Sequence, residues 1–397
     1  MDVDAQAAIT DLMVLLAIRG ESTNENAVAD HVEAALLERG VKRSAITSDR
    51  AFEGSEYGGS RGNLIVRFPA VGASAGPARL LTAHMDTVAL AVGCRPRLVE
   101  GDAGRRIVND NPDAALGGDN RAGCAALLQV ARALAAETDR PRPAVALVFF
   151  VQEEVGLVGS REFDPAALGF DGPILGFNFD GCDPREAVTS VIGTSRVEIT
   201  VHGKAAHAGA NPGGGVSAAV AAARAIAWLA DNGWHGPIDR PEGTGSANVG
   251  TLRGGSGTNV VLDRLTVLAE ARSHDHAFRE RILETCRGAF ERAAGETTSR
   301  DGQAAKVSFR PLSRYESFVL PDDAPVVAAA LAAGRAAGVQ LATVSNDGGM
   351  DANNLTAKGI ATVTFGLGPH EVHTPDEWID VEEFLMGCRL ALAVVEG

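Results

Sequence analysis

The sequence lacks an excess of basic residues and lacks long apolar runs. Its 397 residues include 36 Lys and Arg against 51 Asp and Glu, which gives a formal net charge of -15 at pH 7. Such a chain repels nucleic-acid phosphates and anionic lipid headgroups. None of its apolar runs approaches the roughly 20 residues that a membrane helix needs. We therefore expect neither nucleic-acid nor membrane partners.

Cysteine is scarce, and export and nucleotide-binding signals are missing. The five cysteines form no Cys-x-x-Cys pair, which is typical of buried thiols in a reducing compartment. The opening Met-Asp-Val-Asp is acidic where a secretory signal is basic, so we expect a cytoplasmic location. The sequence contains neither Gly-x-Gly-x-x-Gly nor a Walker loop, which argues against nucleotide chemistry.

The length favours two or three domains, and the apolar pattern predicts an α/β fold. Helical and strand-like segments alternate up to about residue 190 and again after 319, as in a sheet covered on both faces. Between them, residues 191–318 predict a smaller α+β unit of two helices and about four strands. We expect a discontinuous catalytic domain, 1–190 and 319–397, with 191–318 inserted. The pattern predicts helices over 5–19, 25–39, 120–136, 216–230, 276–293, 325–337 and 381–395, and strands over 63–68, 79–86, 144–151, 174–180, 195–203, 265–272, 307–312 and 361–366.

Acidic residues and histidines follow several of the predicted strands. Taken singly, each has an ordinary structural interpretation: His84 as a buried structural histidine, Asp119 as a helix N-cap. The carboxyl ends of parallel strands meet at one sheet edge, however, and clustered carboxylates without a cation raise one another's pKa. Two imidazoles with several carboxylates suit Zn²⁺, with Mn²⁺ or Co²⁺ as alternatives, and exceed the needs of one tetrahedral ion. The residues are His84, Asp86, Asp119, Glu153, Glu154, Asp180 and His373.

Three of these motifs resemble those of a known family. They are His-Met-Asp-Thr-Val from residue 84, Glu-Glu-Val-Gly-Leu-Val-Gly-Ser from residue 153, and Phe-Asp-Gly around Asp180. The family is that of the dinuclear zinc metallopeptidases, which includes peptidase T, carboxypeptidase G, aminoacylase and succinyl-diaminopimelate desuccinylase. The motifs look most like those of peptidase T. The resemblance implies a zinc-exopeptidase-like α/β catalytic domain with an inserted lid or dimerisation domain.

The resemblance also implies a role for each residue of the cluster. His84 and Asp180 correspond to ligands of one zinc ion, and Glu154 and His373 to ligands of the other. Asp119 corresponds to the bridging carboxylate, followed in the family by a cis peptide bond. Asp86 would orient His84, and Glu153 would be the general base. The residues alone do not decide which of the two neighbouring glutamates binds metal.

Further matches lie in the inserted segment and near the end of the chain. His207 corresponds to a family histidine that reaches the active site of a partner subunit and stabilises the oxyanion, which implies a homodimer formed through the lid. Asn259 and Arg272 correspond to groups that hold substrate. Gly349 and Asp351 lie in a Gly-rich segment that resembles the one beside the substrate backbone; this segment also reads as a simple turn before a short helix.

These observations predict a metal-dependent exopeptidase that hydrolyses an amide bond in short peptides, as a di- or tripeptide aminopeptidase. A hydroxide bridging the two ions would attack, with Glu153 as general base. Within the family the alternatives are a deacylase of N-acyl amino acids and a carboxypeptidase. From another class, the alternative is a non-catalytic metal or peptide binder, against which the complete set of ligands argues.

Overall fold

The computed structural model describes residues 1–72, 76–101 and 104–396. Two compact units make up the chain, Met1–Ser190 with Val319–Gly397, and Val191–Phe318; the last residue, 397, which ends the predicted catalytic domain, lies outside the described residues. The catalytic, lid and dimerisation roles of these units remain predictions.

The helices and strands are defined as follows among the described residues. The helices are α1 (Ala5–Ala17), α2 (Asn26–Glu38), α3 (Gly118–Ala136), α4 (Val158–Glu162), α5 (Ala218–Asp231), α6 (His276–Glu296), α7 (Pro325–Ala336), α8 (Asp351–Ala357) and α9 (Val381–Glu396). The strands are β1 (Ile46–Ser48), β2 (Leu64–Phe68), β3 (Ala78–His84), β4 (Pro96–Gly101), β5 (Gly104–Asn109), β6 (Val145–Phe150), β7 (Ile174–Gly181), β8 (Glu186–Val191), β9 (Gly193–His202), β10 (Gly236–Arg240), β11 (Gly243–Gly254), β12 (Arg264–Ser273), β13 (Lys306–Tyr315), β14 (Phe318–Val319), β15 (Ala342–Asn346), β16 (Thr362–Gly366), β17 (Pro369–His370) and β18 (Trp378–Asp380).

The larger sheet has the order β1-β2-β6-β3-β7-β16-β8-β14, with β15 paired to β8. Its centre is parallel, since β6 and β7 both run parallel to β3 and β16 runs parallel to β7. Every residue of β3 and β6 is buried. Strands buried on both faces are continuous apolar runs, which explains why the sequence pattern located them.

Helix α3, which contains Asp119 near its start, packs against this sheet. The helices α1 and α9 pack beside it, and most of its side chains are buried. Gly123 permits the close approach, because a Cβ at this position would lie 2.3 Å from the carbonyl oxygen of Phe179 in β7. The loop before α3 is thereby held near the carboxyl end of β7.

A four-stranded sheet of order β17-β18-β5-β4 also belongs to the first unit. Trp378 is stacked between two partners: its ring lies 4.1 Å from the His370 ring, and the guanidinium of Arg106 lies 3.9 Å from the Trp378 ring centre. These contacts fix the two ends of the turn between β17 and β18, which contains His373.

The second unit is a five-stranded antiparallel sheet of order β10-β11-β12-β9-β13. Helices α5 and α6 pack on it around a core that includes Ile199, Val267 and Phe290. Side-chain oxygens of Ser217 and Asp275 cap the two helices. The sequence predicted about four strands here, and the described residues form five.

The predicted α/β alternation is confirmed. No helix in the described ranges combines the length and the apolar character that a membrane crossing requires.

Candidate metal centre

The predicted site residues of the first unit lie at the carboxyl ends of adjacent parallel strands. His84 is the last residue of β3, and Asp180 lies at the end of the neighbouring β7. Glu153 and Glu154 follow β6, which flanks β3 on its other side. Parallel strands deliver their final side chains to one edge, and the structure therefore brings these four residues together.

His84 is buried and its protonation pattern is fixed by its neighbours. Its Nδ1 lies 3.1 Å from the backbone oxygen of Asp86, which can only accept a hydrogen bond, so Nδ1 carries a proton. Its Nε2 lies 3.1 Å from Asp119 Oδ1 and 3.2 Å from Asp180 Oδ1. A lone pair on Nε2 would face two carboxylates, so this position needs a proton or a metal ion.

Asp119 lies between the two histidines. Its Oδ1 faces His84, whereas its Oδ2 lies 3.4 Å from Nε2 of His373. The same His373 nitrogen lies 3.0 Å from Glu154 Oε1. The two oxygens of one carboxylate thus point to different imidazoles, which is the arrangement that a bridging ligand requires. The peptide bond between Asp119 and Asn120 is cis, as the resemblance implied.

The carboxylates around the two histidines raise the pKa of both imidazoles. Burial alone disfavours the imidazolium of His84, but Asp180, Asp119 and Asp86 together raise its pKa well above the usual value. Hydrogen bonds that His373 donates to the carboxylates of Asp119 and Glu154 raise its pKa to about 10. This concentration of carboxylates favours a positive charge between them.

The two neighbouring glutamates differ in their contacts. Burial, reinforced by the charges of Asp180 and Asp351, raises the pKa of Glu153 well above its usual value. Burial also raises the pKa of Glu154, although the hydrogen bond with His373 acts to lower it. Of the two glutamates, Glu154 is the one whose carboxylate lies 3.0 Å from Nε2 of His373.

Asp86 contacts both His84 and the backbone of the two neighbouring glutamates. Its carboxylate lies 3.4 Å from His84 Nδ1 and accepts the backbone N–H groups of Glu153 at 2.9 Å and Glu154 at 3.2 Å. The hydroxyl of Ser22 donates to it at 2.7 Å. The prediction is that Asp86 orients His84 through its carboxylate. In the structure the backbone oxygen of Asp86 lies closer to Nδ1 of His84 than the carboxylate does.

The donor set fits two metal ions. His84, Asp119 and Glu154 offer ligand atoms within 4.8 Å of one another, and so do His84, Glu153 and Asp180. Nitrogen and carboxylate donors in this number suit first-row divalent ions such as zinc. Carboxylates beside such ions, at the open edge of an α/β sheet, define a metal-dependent hydrolase site.

Of the predicted substrate contacts, Gly349 and Asp351 belong to the first unit. Asp351 is fully buried, and burial raises its pKa to about 7. Ser160 lies near it, yet within the described ranges neither carboxylate oxygen has a hydrogen-bond partner of ordinary geometry. The charge of His84 acts to lower the pKa of Asp351, and the charge of Asp180 acts to raise it. Gly349 is partly exposed in the turn before α8.

His207, Asn259 and Arg272 belong to the second unit. The Nδ1 of His207 accepts the backbone N–H groups of Gly209 and Ala210, each at 3.1 Å. The ring proton therefore lies on Nε2. The backbone oxygen of Asn259 accepts from Ala208 at 2.9 Å, and Arg272 lies 3.0 Å from Glu270.

Two buried glutamates that the sequence analysis missed support the site. Glu25 Oε1 accepts the backbone N–H of Gln152, the residue before Glu153, at 3.0 Å. Glu377 accepts backbone N–H groups at the start of α3. Glu377 lies four residues beyond His373, a signal that was available in the sequence. Glu25 is too far along the chain to be found without the fold.

Comparison with known proteins identifies the family of the chain. Residues 80–397 match the family described as Peptidase family M20/M25/M40. The structure of aminopeptidase PepT from Bacillus cereus ATCC 10987 is 30% identical, with a TM-score of 0.81 over 99% of this chain and 98% of that one. A tripeptidase from Staphylococcus aureus subsp. aureus Mu50 is 28% identical, with a TM-score of 0.84 over 100% of this chain and 99% of that one. The uncharacterized protein YqjE of Bacillus subtilis (strain 168) is 28% identical over 402 residues, 99% of each chain.

The chain belongs to peptidase family M20/M25/M40. The resemblance to peptidase T drawn from the sequence motifs is confirmed, and the chain is a metal-dependent peptidase.

Proposed function

We propose that this enzyme is an aminopeptidase that removes the first residue of short peptides, tripeptides above all, with two zinc ions and Glu153 as general base. The observation that carries the proposal is the position of Asp119, whose two oxygens face His84 and His373. The likeness to an aminopeptidase and to a tripeptidase over nearly the whole chain supports the substrate class.

In the proposed ligand set, His84 and Asp180 would hold one ion, Glu154 and His373 would hold the other, and Asp119 would be shared by both. The distances of 3.0 to 3.4 Å within these groups support this division. When bound, the two ions would polarise the scissile carbonyl and lower the pKa of a water molecule between them. Mn²⁺ and Co²⁺ accept the same donors, so metal analysis after purification without added metal tests the choice of zinc.

Glu153 is proposed to move the proton. Its carboxylate takes a proton from the attacking water as the new C–O bond forms, and gives it to the leaving nitrogen as the C–N bond breaks. Glu154 already contacts His373, which leaves Glu153 as the carboxylate available for this task. Asp86 would hold both backbones in place through its hydrogen bonds to their N–H groups.

His207 is proposed to stabilise the oxyanion. Because its Nδ1 accepts two backbone N–H groups, the proton on Nε2 is free to be donated to the carbonyl oxygen as negative charge develops there. In this proposal the second unit is a lid that also forms a homodimer, and His207 serves the partner subunit. Asn259, Arg272, Gly349 and Asp351 would contact the substrate.

Mixing two inactive variants tests the shared site. An inactive Glu153→Ala protein mixed with an inactive His207→Ala protein should regain part of the activity, because mixed dimers contain one intact site. Sedimentation analysis should give a dimer. No recovery of activity in dimers shown to have exchanged subunits would contradict the role of His207 across the interface.

A substrate panel tests the reaction itself. Free tripeptides should release their first residue, dipeptides should react more slowly, and N-acetylated tripeptides should be inert. Hydrolysis of N-acyl amino acids instead would indicate a deacylase, and release of the last residue would indicate a carboxypeptidase. We further propose a cytoplasmic location, which fractionation of the source cells tests.

A further inference from the structure

The carboxylate of Glu377 is buried in a cradle of backbone N–H groups at the start of α3. Glu377 is only 3% exposed. Its Oε2 accepts the N–H of Gly117 at 2.7 Å, and its Oε1 accepts the N–H of Asp119 at 3.2 Å. The N–H of Gly118 is a third donor to the same carboxylate. Three consecutive donors therefore converge on one side chain.

The local sequence explains the cradle. Gly117 adopts φ 76° and ψ 27°, a left-handed conformation that turns successive N–H groups toward one point, as in anion-binding nests. At Gly118 a Cβ would lie 2.8 Å from Cδ1 of Ile379 and 3.1 Å from Oε1 of Glu377. A side chain at either position would disturb the fit of the carboxylate.

The other end of this contact is the turn that carries His373. The backbone N–H of Glu377 donates to the oxygen of Thr374 at 3.2 Å, which closes the turn after His373. Trp378, the next residue, begins β18 and is stacked against His370. Glu377 thus connects the segment that contains Asp119 to the turn that contains His373. Across these two segments, Oδ2 of Asp119 lies 3.4 Å from Nε2 of His373.

We propose that Glu377 is a positioning residue that sets the separation of Asp119 and His373, and through it the affinity for the second metal ion, the one held by Asp119, Glu154 and His373. This inference rests on the two-ion site of the proposed function. His84 and Asp180 are held within strands β3 and β7, independently of Glu377. The loss of its carboxylate therefore weakens the second ion more than the first.

The test is a stepwise Co²⁺ titration of protein from which metal has been removed with a chelator. Calorimetry and the visible absorption of bound Co²⁺ measure each binding step. Glu377→Gln keeps the size of the side chain but places an amide N–H₂ against backbone donors. It should weaken the second binding step by about 10- to 100-fold, the range seen when partners of metal ligands are removed, and change the first step less. Glu377→Asp, which keeps the carboxylate, should recover part of the affinity.

Two further variants make the result specific. His373→Ala removes a proposed ligand and so marks which step belongs to the second ion. Glu382→Gln is the matched control: its side chain is 64% exposed and pairs with Arg105, so both steps should match the wild type. Far-UV circular dichroism checks that each variant is folded. If Glu377→Gln is misfolded, Glu377→Asp takes its place, because a partial recovery still leaves the second binding step weaker than in the wild type.

The outcomes separate this inference from the proposed function. If the wild type binds two ions and folded Glu377 variants bind both equally well, or lose both equally, the positioning role is wrong and the two-ion site stands. If the wild type itself binds only one ion, the two-ion site fails and the positioning role fails with it.

Discussion

Replacing Glu153 by Gln separates proton transfer from metal binding. The amide has the same size as the carboxylate but takes no proton at neutral pH. Glu154 Oε1 lies 3.0 Å from His373 Nε2, and in the proposed mechanism Glu153 acts on the water. We therefore expect Glu153→Gln to retain two ions per chain and to lose most of its turnover.

The size of the loss follows from general-base catalysis. Positioned proton transfer contributes about 10²- to 10⁴-fold, which corresponds to roughly 3 to 5 kcal/mol of the activation barrier at about 1.4 kcal/mol per factor of ten. Because the substrate still meets both ions, KM should change little compared with kcat. Steady-state hydrolysis of a free tripeptide and metal analysis of the same sample provide both numbers.

Glu154→Gln is the matched comparison, since it makes the same chemical change at the adjacent residue. It should lose one ion and bind the other. The assignment of the two glutamates is refuted if Glu153→Gln loses an ion while Glu154→Gln keeps both, or if Glu153→Gln turns over at a near-normal rate.

Three further predictions concern the support of the site and the fold. Asp86→Ala removes the acceptor of the Glu153 and Glu154 N–H groups; at about 1–3 kcal/mol for each buried donor left unpaired, its urea midpoint should fall, and a midpoint equal to that of the wild type would contradict the contact. In the metal-free protein the pKa of His373 is raised to about 10, so its stabilising contribution is complete below pH 6.5 and is lost as the pH rises toward 10. The melting temperature of chelated protein should therefore fall across that interval more than that of metal-loaded protein, and parallel curves would count against it. Gly123→Ala places a Cβ 2.3 Å from a backbone oxygen and should destabilise by about 1–3 kcal/mol, whereas Gly288→Ala, which meets nothing within 4 Å in α6, should stabilise by up to about 1 kcal/mol; equal effects of the two would show that the close packing of α3 is misjudged.

Buried periodic elements were predictable because their apolar patterns are local. Strand β3 was predicted over residues 79–86 and is observed over Ala78–His84; helix α3 was predicted over 120–136 and begins two residues earlier. Since the strands of the central sheet end at one edge, the convergence of His84 and Asp180 followed from the order of these elements alone.

Other elements depend on partners that are distant in sequence. Strand β11 contains four glycines and small polar residues without an apolar period, and its pairing with β12 is what orders it. Strand β4 is mostly exposed, the paired strand β5 is mostly half-buried, and together they contain three arginines. Neither segment was predicted, because tertiary pairing overrides weak local preference.

The chemistry of the site was predictable from residue types, and its support was not. Asp119 lies 3.1 Å from His84 and 3.4 Å from His373, and Glu154 lies 3.0 Å from His373. The cradle around Glu377 depends instead on a left-handed backbone at Gly117. The position of Glu377 close to His373 was visible in the sequence, but its contact with the backbone at the start of α3 becomes apparent only from the fold.

The most direct test of the central claim is the metal dependence of tripeptide hydrolysis by one preparation. Chelated protein should be inactive toward a free tripeptide, and activity should return as Zn²⁺ is added, reaching its maximum at two ions per chain. Full activity in the chelated protein, or no activity with two ions bound to the folded chain, would contradict the account.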